Sequence, residues 1–535
     1  MSCSKILSGD LPELTYEIIK YFRNDHSTLH SCILVNRTWC RLAIPLLWEN
    51  PFSIYNLNYN FIEIYIHNLN DDFKIKLNEC KIINNDSLHL NTLMFNYPSF
   101  LKYLNIYHFV YSVNQWFKNY SRVSRPLSES YHFKKLIIMS LFGIFIENEV
   151  KLHTLEIDYN TYDDIITDIV KFILKDTNFI LNIRNLKLYI TFDRENIYNS
   201  IIKDHILQIV NLHQNLKKKI LVHKNFPLLK SLLDFNFSNT LNTIIFSEIN
   251  FNFLNYDIFE QLNVLESIHI IYCSLNNNFF YQIINLSKQF KLKTLFIKEI
   301  PQIDSIELLL QTSGHYLRNF GYNFSLDRDI SLRNQLLELI TKYCKNINYL
   351  YLSYDDDKNI YPVLNFIENM KQNLDYLTIN ILNLNVDKSA TKDFLIYDSK
   401  IGVFDDSEFS QIILQNLGQI LPPKLEYLYL DLYYVKENDL EVFLKNSRDT
   451  FINKLLIRTY NSDDLLPYIK EYVMKQKRVK YLTIHEMFAI LGGIRYCEQL
   501  FLLEDEVKEF GLYNIKIQSY DSLVIDIYDY MREID

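Results

Sequence analysis

The chain is poor in the two residues that interrupt regular structure, with 9 glycines and 11 prolines in 535 residues. That excludes a collagenous or linker-rich protein and argues against an all-β fold punctuated by tight turns. The seven cysteines (Cys3, Cys32, Cys40, Cys80, Cys273, Cys344, Cys497) are odd in number, scattered and without a Cys-x-x-Cys pair. Such usage fits reduced thiols in the cytosol or nucleus. Positive charge is also lacking: 55 basic against 64 acidic residues leave a formal charge of −9, so there is no footprint for nucleic acid or an anionic membrane. No run approaches the ~20 apolar residues that span a bilayer, and the opening MSCSKILSGDLPEL has no apolar core or small-residue cleavage site of a secretory signal. The expected location is cytoplasmic or nuclear.

Chemical motifs are equally scarce. There is no Gly-x-Ser-x-Gly elbow and no His-Glu-x-x-His helix, and Leu491-Gly492-Gly493 lacks the Lys-Ser/Thr of a phosphate loop. His26 and His30, four apart, lie near Cys32 and Cys40. Zinc would need both thiols, yet each falls in a helix that requires apolar packing, so surface histidines and core thiols are the better reading. Asp355-Asp356-Asp357 lacks the alternating ligand spacing of a calcium loop, and His485-Glu486 stands alone at a strand end. No catalytic centre, metal or cofactor is expected.

What is present is apolar periodicity, with 48% hydrophobic residues. From Leu11 the pattern is helical, with Leu14, Ile18, Ile19 and Phe22 on one stripe and Pro12 in the first turn, where a missing N–H is tolerated. Asp25 and Ser27 can cap a second helix carrying Leu29, Cys32, Ile33 and Leu34. A third follows Asn36, places Trp39, Leu42 and Ala43 together, and should stop near Pro45. Three short helices hold little core, so this head should dock on the rest of the chain or on a partner.

Beyond about residue 100 a six-residue pattern recurs: LKYLNI at 101, LHTLEI at 152, LNTIIF at 241, LESIHI at 265, LKTLFI at 292, LRNFGY at 317, INYLYL at 347, LDYLTI at 374, LEYLYL at 425, INKLLI at 452 and VKYLTI at 479. FKKLII at 133, IRNLKL at 183 and LKKKIL at 216 read as weaker copies. From 241 the steps are 24, 27, 25, 30, 27, 51, 27 and 27 residues. If the step of 51 hides a degenerate unit near residue 400, the period is roughly 26, within the leucine-rich-repeat range. Amphipathic stretches such as YDIFEQL and NQLLELITKYC supply one helix per unit. The predicted fold is α/β: a three-helix head at 5–52, a junction at 53–100, a strand-helix solenoid with a parallel sheet on its concave face at 101–490, and a terminal unit and cap at 491–535.

Residues 11–52 resemble the F-box. The family pattern begins Leu-Pro-x-Glu, carries an Ile near the end of its first helix, then Leu-Val-x-Lys/Arg-x-Trp-x-x-Leu and a closing Leu-Trp. Here these are Leu11, Pro12, Glu13, Ile18, Leu34, Val35, Arg37, Trp39, Leu42, Leu47 and Trp48. Glu13 follows Pro12 directly, one residue short of the family spacing, and Asn36, a good helix cap, replaces the more usual Cys or Ser. The repeats look like the leucine-rich arrays that follow many F-boxes. Their ninth position, usually Asn or Cys, is Cys273 in one unit but Ile300, Leu382 and Tyr433 in others.

The resemblance implies a non-catalytic substrate receptor of a ubiquitin ligase. The F-box would dock a Skp-type adaptor and through it a cullin, while the repeats capture a protein substrate. Leu11, Pro12, Leu14, Ile18, Leu34, Val35, Trp39, Leu47 and Trp48 would divide between packing the head and filling the adaptor's groove. A scaffold that binds adaptor without supporting ubiquitination is the alternative, as is a repeat binder with a vestigial F-box.

In a strand written LxxLxI the third, fifth and seventh positions face away from the helices. That places Tyr349, Tyr351, Tyr376, Tyr427, Tyr429 and Tyr481 on the expected substrate face, with Asp431, Arg458 and His485. Earlier units place Thr154, Glu156, Asp158, Ser267, His269, Thr294, Phe296 and Lys298 there. Tyrosine suits protein recognition because it offers large contact area at small entropic cost.

Overall fold

The computed structural model describes residues 11–23, 25–53, 59–69, 74–75, 94–120, 127–159, 164–176, 179, 183, 185–191, 204–205, 208–209, 218–223, 241–251, 264–285, 290–300, 302–323, 329–353, 360–380, 407–460, 462–474, 476–489, 495–525, 527 and 530–531. The chain is α/β and divides into two compact units, Met1–Ser247 with Gln261–Leu265, and Glu248–Glu260 with Glu266–Asp535. Much of the expected junction at 53–100 lies outside the described residues, as do YDIFEQL, Asp355-Asp356-Asp357 and Leu491-Gly492-Gly493.

The first unit opens with three helices, α1 (Pro12–Lys20), α2 (His26–Ile33) and α3 (Arg37–Leu47). Pro12 sits in the first turn of α1. The Asp25 carboxylate caps α2 by accepting from the Thr28 N–H at 3.1 Å, and Asn36 Oδ1 caps α3 by accepting from the Trp39 N–H at 2.9 Å. Ile19, Leu29, Cys32, Trp39, Ala43 and Leu46 form the head's core, with Tyr16, Phe22, Ile33, Leu42 and Leu47 packed around it. The expected stop near Pro45 does not occur: α3 runs through it to Leu47. Proline inside a helix costs about 3 kcal/mol; burial of Ile44 and Leu46 on either side offsets this.

Glu49 joins the head to the first strand of the sheet. Its buried carboxylate pairs with Arg23 Nε at 2.9 Å and with Lys102 Nζ, while its carbonyl accepts the N–H groups of Lys102 and Tyr103 at 2.9 and 3.0 Å. Lys102 and Tyr103 lead into β1 (Tyr103–Asn105), which pairs in parallel with β2 (Thr154–Tyr159). The order continues through β3 (Asn185–Thr191), β4 (Lys218–His223) and β5 (Leu241–Ser247), all parallel. Helices α4 (Phe61–His67), α5 (Ile106–Tyr120), α6 (Leu127–Glu147) and α7 (Asp164–Lys175) complete this unit's main elements. FKKLII at 133 is therefore not a repeat strand. It lies within α6, where Ile137, Leu141 and Phe145, and Ile138 and Phe142, recur at helical spacing and are buried.

The second unit alternates strand and helix: β6 (Ser267–Ile271), α8 (Asn277–Asn285), β7 (Lys291–Ile297), α9 (Ile303–Ser313), β8 (Asn319–Asn323), α10 (Ile330–Tyr343), β9 (Tyr349–Ser353), α11 (Tyr361–Met370), β10 (Tyr376–Asn380), α12 (Ser407–Ile420), β11 (Lys424–Asp431), α13 (Glu437–Asn446), β12 (Phe451–Tyr460), α14 (Leu466–Ile469) and β13 (Val479–Ala489). The strands from β6 to β13 pair in parallel in sequence order. Parallel neighbours need a crossover, and the helix in each unit provides it. The aligned apolar positions, among them Leu292, Leu350, Leu377, Leu428, Leu455 and Leu482, are buried.

No further unit is needed within the step of 51. β10 pairs directly with β11, Tyr376 opposite Tyr427, so the sheet holds no strand between them. At the end of the chain β14 (Arg495–Gln499) pairs antiparallel with β13, then α15 (Glu504–Leu512) leads to β15 (Lys516–Ile517), which returns parallel to β13. At the ninth repeat position Cys273 is buried, whereas Ile300 and Tyr433 are only partly covered; Leu382 lies outside the described residues. Burial pushes the thiols of Cys273 and Cys344 up to about 12, which holds both protonated.

Candidate functional site

Two surfaces carry the residues that the sequence singles out. On the head, Leu14 and Ile18 of α1 and Tyr21 just past its end are 45%, 37% and 88% exposed, and Leu34 and Val35 stand at 76% and 49% in the turn between α2 and α3. Pro12 is exposed and Leu11 half-buried. The other named residues point inward. Trp39 belongs to the head's core and Leu47 packs on it, while Trp48 meets Tyr97, Tyr65 and Phe61 at centroid distances of 4.6, 5.3 and 6.5 Å. Tyr21, the most exposed of the group, was not singled out by the sequence. Its spacing from Leu14 and Ile18, seven and three residues, is the signal that marks it.

The expected helix stripe is thus divided by burial: Ile19 turns into the core, and Leu14 and Ile18 turn away from it. Monomeric proteins rarely leave such a run of large apolar side chains in water without a use for it.

The second surface is the sheet face of the second unit. Parallel register aligns its side chains in rows: Tyr349, Tyr376, Tyr427, Lys454 and Tyr481 in one, and Tyr351, Thr378, Tyr429, Leu456 and Thr483 in the next. A third row brings Asp431, Arg458 and His485 side by side. The predicted tyrosines do share one face, but it is not open. Tyr349, Tyr427 and Tyr429 are 1%, 0% and 6% exposed, and Tyr351, Tyr376 and Tyr481 are partly covered. Ser267, His269, Thr294 and Phe296 are buried as well, and in the first unit so are Thr154 and Asp158, while Glu156 accepts from Asn105 Nδ2 at 2.6 Å.

Tyr427 and Tyr429 cluster with Leu456 and Leu523, and Tyr376, Tyr481, Tyr520, Val524 and Ile525 pack against them. Gly321 stands opposite Tyr351 in the same row, and a Cβ there would sit 2.1 Å from the Phe296 ring.

Under this cover lies a charged pair. Arg458 Nε is 3.5 Å from Asp431 Oδ1, and the Tyr429 hydroxyl donates to Asp431 Oδ2 at 3.2 Å. Burial works against the Arg458 charge, but Asp431 and the surrounding tyrosines outweigh it and the guanidinium stays protonated. Burial also dominates at Asp431, lifting its carboxyl to about 6 against the pull of Arg458 and Tyr429. His485 is held down at about 4 by burial and then by Arg458, with Asp521 acting in the opposite direction.

These two groups respond to pH with opposite signs. His485 has a folded value below its ordinary 6.5, so the unfolded chain takes up the proton first and stability is lost as pH falls from about 6.5 towards 4. Asp431 is raised above 3.8, so its contribution is complete below that value and is lost as pH rises through about 6. His485→Gln removes the first effect and leaves the second. Relative to wild type, the variant's Tm should therefore rise steadily as pH is lowered from 6.5 to 4.5, measured by thermal unfolding across that range. A constant offset would show that His485 is not held neutral.

Among the described residues no cluster of three or more His, Cys, Asp and Glu side chains is placed to hold a metal, and no helix is long and apolar enough to cross a membrane. Compared with protein-family models and with curated protein sequences, the chain matches none.

Proposed function

We propose that the chain is the substrate-receptor subunit of a Skp-cullin-F-box type ubiquitin ligase. In this reading α1 to α3 form the F-box that docks a Skp-type adaptor, and the strand-helix units form a leucine-rich-repeat solenoid that holds a protein substrate. The observation that carries it is the separation of roles within the head. Its core closes without Leu14, Ile18, Tyr21, Leu34 and Val35, which remain exposed.

An apolar partner groove is the natural cover for those five side chains, at ~25 cal/mol for each Å² removed from water. The residue pattern from Leu11 to Trp48 supports the same partner. The chain makes and breaks no bonds in this function. It holds a substrate lysine near a ubiquitin-charged conjugating enzyme and so raises the effective concentration of the reacting groups.

Affinity purification of the full chain from cells tests the reading. Adaptor and cullin should be recovered together. Adaptor without cullin would make the protein a scaffold, and recovery of neither would end the F-box assignment.

A further inference from the structure

The tyrosine face of the second unit already has an occupant. After β15, the described residues from Tyr520 to Met531 lie against the sheet face. The Tyr520 hydroxyl lies 2.7 Å from that of Tyr429 and accepts from Arg458 Nη1 at 3.1 Å, with its ring 4.9 Å from that of His485. Leu523 is buried against Tyr427, Tyr429 and Leu456, and the Ile525 N–H donates to the Tyr427 hydroxyl at 3.1 Å. The Tyr530 ring lies 4.6 Å from Tyr349 and 5.2 Å from Tyr376, and its hydroxyl donates to Asn348 Oδ1 at 3.5 Å. Met531 Sδ accepts from Thr294 Oγ1 at 3.4 Å, where Thr294 also accepts from Asn319 Nδ2 and lies 2.8 Å from His269 Nδ1. Described residues of one segment thus touch β13, β12, β11, β10, β9 and β7.

The segment is held as a ligand is held. Near β15 the Gln518 N–H donates to the Leu482 carbonyl at 3.2 Å. Beyond that point the Ser522 and Val524 N–H groups donate to Ser519 and Tyr520 of the segment itself, and Ile525 bonds to a side chain rather than to a strand backbone. The attachments at Tyr520, Leu523, Ile525 and Tyr530 are rings, methyls and hydroxyls with one backbone N–H, all of which another peptide can supply. Between 520 and 531 the segment reads YDSLVIDIYDYM, tyrosines and aliphatics interleaved with carboxylates and no basic residue.

We propose that the segment carrying Tyr520–Ile525, Ile527, Tyr530 and Met531, which opens with the helical turn Tyr520–Leu523, is an intramolecular strap on the substrate face, and that the substrate segment which displaces it is rich in tyrosine and branched aliphatics, and acidic. The proposal rests on the receptor reading for what the face is used for. Leaving the face bare would expose the tyrosines and hydrate the Asp431–Arg458 pair, so the strap keeps it closed until a matching segment arrives. A tethered occupant acts at an effective concentration of about a millimolar, so a free segment of equal affinity must compete at that level unless the strap is loosened.

A labelled peptide of residues 518–535, QSYDSLVIDIYDYMREID, is added to the full chain and to two full-length variants, with a scrambled peptide as control. Tyr520→Phe removes one hydroxyl that makes two bonds and no apolar area; Leu523→Asp removes the strap's buried anchor. Fluorescence anisotropy should show at least tenfold tighter binding of the native peptide by Leu523→Asp than by wild type. Tyr520→Phe should tighten it about threefold to tenfold, in line with the loss of one or two hydrogen bonds. Amide exchange should be at least tenfold faster in the strap than in β11, with β9 to β12 equally protected in all three proteins.

Strap and β11 amides exchanging together would overturn the proposal, as would unchanged peptide binding in a Leu523→Asp chain that keeps its sheet protection. Collapse of that protection would also overturn it, by making the segment part of the core. Adaptor recovery is scored on the same preparations. Peptide binding without adaptor would keep the strap and reject the ligase reading, and adaptor without peptide binding would do the reverse.

Discussion

Leu34→Asp combined with Val35→Asp should abolish recovery of the Skp-type adaptor, a loss of at least about 100-fold in affinity, while leaving the chain folded. The two side chains stand 76% and 49% exposed, so the free protein loses little packing and its stability should change by less than about 0.5 kcal/mol. In the proposed complex both would be buried. Each forfeits roughly 1.5–3 kcal/mol of apolar burial, and each new carboxylate must be stripped of water with no partner supplied. Co-purification and a thermal melt of the same preparation check the result. Normal adaptor recovery from the folded double variant would show that the exposed head residues are not the docking surface.

Trp48→Ala should have the opposite profile. Trp48 closes the head and packs edge-on against Tyr65 and Phe61 and tilted against Tyr97, and it is buried. Truncating a buried tryptophan costs about 3–5 kcal/mol through lost contact and the cavity left behind. That is a large part of the ~5–15 kcal/mol by which a typical protein is stable. Denaturant unfolding should show the loss directly, and proteolysis should begin sooner between α1 and α4. Adaptor recovery should fall only in proportion to the unfolded fraction. The two variants together separate docking from packing within one fifteen-residue stretch, Leu34 to Trp48.

The repeating strands were legible because their constraint is local. Each LxxLxI segment alternates sides, and the alternation places Leu350 and Leu352 on one face and Tyr349 and Tyr351 on the other without reference to anything distant in the chain. Helix caps were legible for the same reason, since Asp25 and Asn36 act within three residues of themselves. What could not be read was the neighbour from far away. Tyr427 meets Ile525 across 98 positions and Thr294 meets Met531 across 237, so nothing near either strand announces that its outer face is covered.

FKKLII misleads by the same logic in reverse. Its six residues satisfy a strand pattern, and only the further apolar positions through Phe145 reveal a helix. Pro45 similarly signals a helix end that buried neighbours override.

The direct pairing of β10 with β11 has a broader meaning for how such an array changes over time. Closing a loop costs only about 0.6 kcal/mol more for each doubling of its length, and the step of 51 is close to twice the usual 27. Spacer length is therefore nearly neutral, whereas a slip of one residue in strand register would turn every side chain to the wrong side. Insertions can accumulate and vanish between units while the rows of the sheet stay in phase. A lineage of such chains could drift far apart in sequence length and still present the same ordered set of side chains.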